Sequence, residues 1–105
     1  NTSPGVNNKW PAPASGRLLS VIVRTTDAAG NTDLKFHKNS DGNAHISTSA
    51  TETVTVNISA GHTSYVANFN ASTFNIGDIL GLSMTPSSTP GDTVMTSVWE
   101  FDFVS

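Results

Sequence analysis

Apolar and polar residues alternate with a period of two along short stretches of this sequence. In residues 52–59, Val54, Val56 and Ile58 share one face of an extended chain, and polar side chains occupy the other face. Six such stretches are separated by turn residues at short intervals, and none has the spacing and caps of a helix. The pattern predicts an all-β fold, a single antiparallel β-sandwich or jelly roll.

Two of the stretches predict a closing hairpin. A Gly77-Asp78 turn precedes apolar residues 79–84, a loop with two prolines follows, and residues 94–103 return with alternating character. Because residues 79–84 are apolar on both faces, we expect their strand to lie centrally in its sheet. One side of the returning strand is formed by Met95, Trp99, Phe101 and Phe103.

The same alternation predicts which side chains of two earlier strands share a face. In the first strand, Leu19, Val21 and Val23 lie on one face. In the second strand, Leu34 and Phe36 point inward. These five apolar residues therefore belong to the predicted core.

Prolines recur among Asn, Gly and Ala in residues 1–15, a composition that favours an extended or irregular backbone. We predict an extended Pro-rich N-terminal arm or linker over residues 1–15 and a β-sandwich domain over residues 16–105. Trp10 is expected to pack on this domain or on a neighbouring chain, because a large aromatic side chain favours interfaces. The arm residues predicted to contact a partner are Trp10, Pro11 and Pro13.

Charge and composition exclude several classes of partner. The formal net charge is -3 and only five residues are Lys or Arg, so we expect no nucleic-acid partner. No apolar stretch approaches the roughly 20 residues that span a bilayer, so we expect no membrane insertion. The chain has no cysteine, and 38 of its 105 residues are Ser, Thr or Asn. An uncharged polar surface of this kind is typical of secreted and virion proteins.

The sequence carries no signature of catalysis or of a metal site. The histidines His37, His45 and His62 form no i, i+4 pair, and we expect them to be solvated at strand edges or in loops, although a zinc site assembled from distant loops stays an alternative. Residues 39–43 have oxygen-bearing side chains at alternating positions but no later bidentate acid, which favours a hairpin turn over a calcium loop. We therefore expect no enzyme, no metal and no cofactor.

Two groups of residues resemble known β-domains. The segment Ile-Gly-Asp-Ile-Leu-Gly-Leu at residues 76–82 resembles a strand of the trimeric jelly rolls of the C1q and tumour-necrosis-factor type. Residues 16–104, with Phe-His-Lys-Asn at 36–39 and Trp-Glu-Phe-Asp at 99–102, look like the small β-domains of tail fibres and other virion proteins of tailed bacteriophages. The C-terminal Phe-x-Gly-Phe ending that is common in C1q domains is missing.

The resemblance implies a non-enzymatic virion module, with two alternative roles. The first is the trimeric head of a tail fibre, whose loops contact a host surface glycan or receptor. The second is a capsid decoration or other assembly protein that attaches to other virion proteins through its N-terminal arm. Apart from the resemblance, the aromatic residues leave open a third function, a carbohydrate-binding module from a secreted enzyme, in which Tyr65 or Trp99 stacks on sugar rings. The loop residues predicted to bind are Asp41, Asn43, His45, Ser87 and Thr89.

Apolar residues on a second face also suggest association between copies. Leu18, Ile22, Val94 and Val98 fall on the strand faces opposite to those of the predicted core. One thin sandwich leaves such a face uncovered unless another copy packs on it. Together with the resemblance, this predicts a homotrimer.

Overall fold

Antiparallel strands make up the regular secondary structure of the computed structural model, which describes residues 9–40 and 49–102. No helix occurs in these residues. In chain order the strands are β1 Lys9–Pro11, β2 Gly16–Thr25, β3 Gly30–Asn39, β4 Glu52–Ile58, β5 Ser64–Asn68, β6 Thr73–Phe74, β7 Ile79–Thr85 and β8 Thr93–Phe101.

The strands form two sheets that pack face to face. Sheet A has the order β1-β7-β3-β4. In sheet B, β2 lies at the centre, with β8 along one edge and β5 and then β6 along the other. Every pairing is antiparallel. The all-β antiparallel sandwich predicted from the alternation is therefore confirmed.

A β-bulge changes which residues of β2 face the core. The register of β2 against β8 shifts between Leu18 and Ser20, so Leu19 is an extra residue on β2. Leu18 is consequently fully buried, as are Val21 and Val23, whereas Leu19 is only half-buried. The prediction that Leu19 shares the face of Val21 was wrong because one inserted residue reverses the alternation on its N-terminal side.

The predicted hairpin between the last two strands was also wrong, because β7 and β8 belong to different sheets. β7 pairs with β1 and β3 in sheet A, and β8 pairs with β2 in sheet B. The loop between them crosses the sandwich and is held by the turn that joins β2 to β3. The amide of Ser87 donates to the Ala29 carbonyl, and the amide of Asp27 donates to the Pro90 carbonyl. The central position predicted for β7 is confirmed.

Residues 9–15 belong to the sandwich, so the predicted arm does not extend to Ser15. In β1, Trp10 pairs with Leu80. Ala12 is buried, and its amide donates a 2.8 Å hydrogen bond to the carbonyl of Asp78. The carbonyl of Ser15 accepts from the amide of Asp102. Residues 1–8 of the predicted arm, with Pro4, lie outside the described residues.

Aromatic rings from both sheets meet in the core, with Trp99 at their centre. Its ring centroid lies 5.6 Å from Trp10, 6.1 Å from Phe36 and 5.6 Å from Phe74, each in an edge-to-face arrangement. Phe101 contacts Phe74 at 6.0 Å. Because Trp10 and Phe36 belong to sheet A and the others to sheet B, the cluster joins the two layers. Trp10 thus packs on its own domain, one of the two alternatives expected for it.

Replacing Trp99 tests whether this ring holds the sheets together. We expect Trp99→Ala to lower the free energy of unfolding by about 3 kcal/mol, because it removes a large side chain that contacts three other rings. Urea denaturation followed by circular dichroism measures the change. Thr96→Ser on the same strand is the control, because Thr96 is exposed and its replacement should change stability by less than about 0.5 kcal/mol. Equal stability of the Trp99→Ala and native proteins would contradict the assignment.

Candidate functional site

An exposed apolar patch covers the outer face of sheet B, the side that points away from sheet A. Val21 and Val23 of β2 point inward, so Ile22 between them points outward. Ile22 pairs with Val66 of β5 on one side and with Thr96 of β8 on the other. We call the apolar residues of this face the outer patch, which consists of Ile22, Val66, Val94 and Val98.

The outer patch is accessible to solvent. Val66 is 52% exposed, Val94 66% and Val98 42%. Exposed valines on neighbouring strands of one face are typical of a surface that contacts a partner. Four residues formed the predicted second apolar face. Ile22, Val94 and Val98 lie in the outer patch, whereas Leu18 is in the core as a result of the bulge.

Shallow grooves cross the outer patch at one end. The first encloses about 220 Å³ and is lined by Ile22, Arg24, Ser64, Val94, Met95 and Thr96. At Arg24 and Val94 it adjoins a second groove of about 160 Å³, which His62 and Asp92 also line. Arg24 is exposed between the two grooves. At the other end of the face, Arg17 Nε donates a 2.9 Å hydrogen bond to Glu100 Oε1.

The predicted binding loops are anchored at opposite ends of the sandwich. Asn39, next to the start of the loop at residues 40–51, pairs with the first residue of β7. The loop at residues 86–92 follows the last residue of β7. Ser87 and Thr89 in that loop are exposed, and the Ser87 hydroxyl donates to the Asn31 carbonyl. Asp41, Asn43 and His45 lie outside the described residues.

The aromatic side chains considered for sugar stacking are engaged in packing. Trp99 lies among the rings of the core cluster. Tyr65 packs against the buried Val23, Ala29 and Ile58, and its hydroxyl accepts a 3.1 Å hydrogen bond from the Ala60 amide. The predicted arm prolines Pro11 and Pro13 are exposed.

The prediction of solvated histidines was wrong for His37. This side chain is fully buried, and its Nε2 lies 2.8 Å from the hydroxyl oxygen of Ser83. Gly81, which has no side chain, pairs directly with His37. Ser83 is itself only 7% exposed, so the Ser-His contact is a buried link between β3 and β7. His62 is exposed, and its φ of 58° lies in the left-handed region.

Metal-binding and membrane-spanning features are likewise absent from the described part of the chain. Residues 9–40 and 49–102 contain no group of three or more His, Cys, Asp or Glu residues placed to hold a metal ion. Within the same ranges, no helix is long and apolar enough to cross a membrane.

Glu52 forms a polar link between the sheets that the sequence pattern did not indicate. Glu52 is the first residue of β4 in sheet A. Its carboxylate accepts hydrogen bonds from the segment that joins β5 to β6 in sheet B. The donors are the amide of Asn70 at 3.0 Å, the amide of Ala71 at 2.8 Å and the hydroxyl of Ser72 at 2.7 Å. The donors lie 18 to 20 residues away in the chain, so no local motif reveals them.

These contacts shift the acidity of Glu52. Burial raises the pKa of the carboxyl, but the hydrogen bond from Ser72 and those from the amides of Asn70 and Ala71 outweigh it. The pKa of Glu52 therefore lies below its ordinary value of 4.5. The contacts thus favour the ionised form in the folded protein.

Comparison with protein-family models, with curated proteins and with solved structures finds no match for this chain. The site is therefore interpreted from its own geometry and chemistry.

Replacing Glu52 should give a pH-dependent loss of stability. We expect Glu52→Gln to lower the free energy of unfolding by about 1–2 kcal/mol at pH 7, because the amide has one acceptor oxygen and no charge. Since folding lowers the pKa of Glu52, its contribution is complete above the ordinary pKa of 4.5, which applies to the unfolded state, and is lost as the pH falls through the lower folded value. The difference between native and variant proteins should therefore shrink in acid, as measured by urea denaturation across pH.

Glu100→Gln is the matched control for this experiment. The side chains of Glu100 and Arg17 are about half exposed, with relative accessibilities of 52% and 48%. An exposed pair of this kind contributes less than about 1 kcal/mol. A Glu52→Gln protein that behaves like Glu100→Gln at every pH would show that the link between the sheets is not stabilising.

Proposed function

We propose that this protein is a non-enzymatic adhesion and assembly module of a tailed-bacteriophage virion, of the kind that forms the head of a tail fibre. The observation that carries the proposal is the outer patch, an accessible apolar face on a sandwich whose interior is already filled. A domain of this type contacts other proteins through its surface and presents loops from a rigid scaffold.

The distribution of the loops supports a module that makes contacts at two ends. The loop at residues 86–92 is tied to the rest of the sandwich by backbone hydrogen bonds from Asp27 and Ser87. The loop at residues 40–51 starts from the opposite end of β3 and β7. One end is thus free to meet a host surface when the other is attached to the remainder of a fibre.

The geometry favours the decoration and carbohydrate-binding roles less than the tail-fibre role. In the decoration role the predicted arm of residues 1–15 does the binding, but Lys9–Pro11 is a strand of sheet A. A carbohydrate-binding module needs an open aromatic ring, but Tyr65 and Trp99 pack against apolar residues of their own domain.

Binding to bacteria tests the proposed function. We expect fluorescently labelled protein to bind saturably to some strains in a panel of bacteria and to slow phage adsorption to those strains. Labelled antibody should locate the protein at the tail of the virion in electron micrographs. Deletion of residues 1–8, which leaves β1 in place, should not reduce binding to cells.

Three outcomes would contradict the tail-fibre role. Binding to purified capsids that is lost on deletion of residues 1–8 would indicate a decoration protein. Affinity for soluble glycans that is lost in Tyr65→Ala would indicate a carbohydrate-binding module. The absence of binding to all strains, together with label elsewhere than on virions, would reject the virion function.

A further inference from the structure

Strand β8 has a long edge that no described strand covers. It runs over nine residues, Thr93–Phe101, and among the described strands it pairs only with β2. In an antiparallel sheet, half of the backbone N–H and C=O groups of an edge strand point away from its single neighbour. The outward edge of residues 93–100 therefore offers a row of hydrogen-bonding groups to a further strand.

Natural proteins protect such edges, but β8 lacks the usual protection within residues 9–40 and 49–102. Lysine, proline, bulges and short length are the common devices. Residues 93–101 contain no lysine, arginine or proline, and Glu100 is their only charged residue. The bulge in this pair of strands is on β2 at Leu19. By contrast, the edge strand β1 of sheet A has three residues and contains Pro11.

The two sides of the sandwich also differ in how they are closed. On one side, β4 and β5 lie close together, and Glu52 bridges from sheet A to Ala71 and Ser72 of sheet B. On the other side, β1 spans only the start of β7, and Met95 on β8 is 38% exposed although its neighbour Val23 is fully buried. For the part of the chain that the structure describes, the open side of the sandwich is thus the side on which β8 lies.

We propose that β8 pairs with β8 of a second copy of this chain, antiparallel and about a two-fold axis at Ser97. Ser97 is the middle residue of β8, so this register centres the pairing on the strand. It places Thr96 opposite Val98 of the second copy and Val94 opposite its Glu100. The three-strand width of sheet B then becomes a continuous six-strand sheet across both copies.

Charge complementarity favours a second copy as the occupant of this edge. Arg24 pairs with Val94, and Arg17 pairs with Glu100, within each copy. In the proposed register, Glu100 of the second copy enters the cross-strand row of Arg24 and Val94, so this carboxylate lies between two guanidinium groups from different copies. Opposite charges in one cross-strand row are stabilising, although Arg24 lies two strands from this Glu100, with Val94 between them.

The same register joins the apolar residues of the two copies. Val98 of each copy lies in the row next to Ile22, beside the seam between the strands. The outer patch of one copy therefore continues into that of the other. A two-fold pair differs from the predicted homotrimer, one of whose four supporting residues, Leu18, is buried. The inference concerns association between copies and does not depend on the virion role.

Matched lysine variants of the full chain distinguish edge pairing from packing of the outer patch. Sedimentation velocity of the native protein should give a dimer at about 100 µM. Val98→Lys places a charge at the seam and should weaken dimerisation at least about tenfold. Val66→Lys is the control, because Val66 is equally apolar and 52% exposed but lies on β5, two strands from the seam. It should leave the dimer intact, and thermal melting should show that both variants fold.

Disulfide cross-linking tests the register, because the chain has no cysteine of its own. A mixture of Thr96→Cys and Val98→Cys proteins should form a disulfide-linked heterodimer under mild oxidation, faster than either protein alone. A mixture of Thr96→Cys and Val66→Cys proteins should not do so.

Several results would overturn the proposal. A monomer at about 100 µM would exclude the pairing at that affinity, and a trimer mass would support the arrangement expected from the sequence instead. Dissociation by Val66→Lys to the same extent as by Val98→Lys would indicate face-to-face packing of the outer patch. A Thr96→Cys and Val98→Cys mixture that cross-links no faster than the single variants would reject the register.

Discussion

The packing of Trp99 against rings from both sheets is the contact on which the rest of the structure depends. The chain has no disulfide, so the two layers are held by side-chain packing and by a small number of polar links. Trp99 contacts Trp10 and Phe36 in sheet A and Phe74 in its own sheet. Each aromatic pair contributes about 0.5–1.5 kcal/mol beyond the area that it buries. Through Trp10, the same cluster also positions the short strand β1.

The sandwich is closed on one side, so its two sides present different surfaces. Glu52 joins the layers where β4 meets the segment between β5 and β6, whereas the side of β8 carries an exposed edge and the adjoining outer patch. Loops leave from both ends, separated by the length of β7. A partner therefore meets a different chemistry on each side: ordered polar contacts at Glu52, apolar side chains beside β8, and polar loops at the ends.

Much of the strand content was predictable from the sequence, because alternation is a local property. The inward positions of Leu34 and Phe36 follow directly from a period of two, and so does the shared face of Val54 and Val56. The burial of Leu18 in place of Leu19 was not predictable, because a bulge depends on the partner strand. The same applies to the separation of β7 and β8 into different sheets, since turn residues indicate a reversal of the chain and not its destination.

The functional features also divide into those that local alternation predicts and those that depend on distant parts of the chain. Ile22, Val94 and Val98 were recognised as a second apolar face because each is apolar where the alternation predicts an outward position. Val66 joins them only through its pairing with Ile22, and Glu52 acquires its role only through donors from a distant segment. The burial of His37 was missed because alternation assigns a side chain to a face but does not reveal whether that face is covered.

The order of the strands has a consequence for the synthesis of the protein. β1 pairs with β7, and β2 pairs with β8, so on the ribosome sheet A remains incomplete until residues 79–85 have emerged and sheet B until residues 93–101 have emerged. Proteins dominated by such non-local pairings fold slowly, since a long loop must close before its contacts form. During translation the apolar side chains of β2 remain without their partner strand β8 until the end of the chain emerges. The nascent chain is most prone to aggregation during this interval.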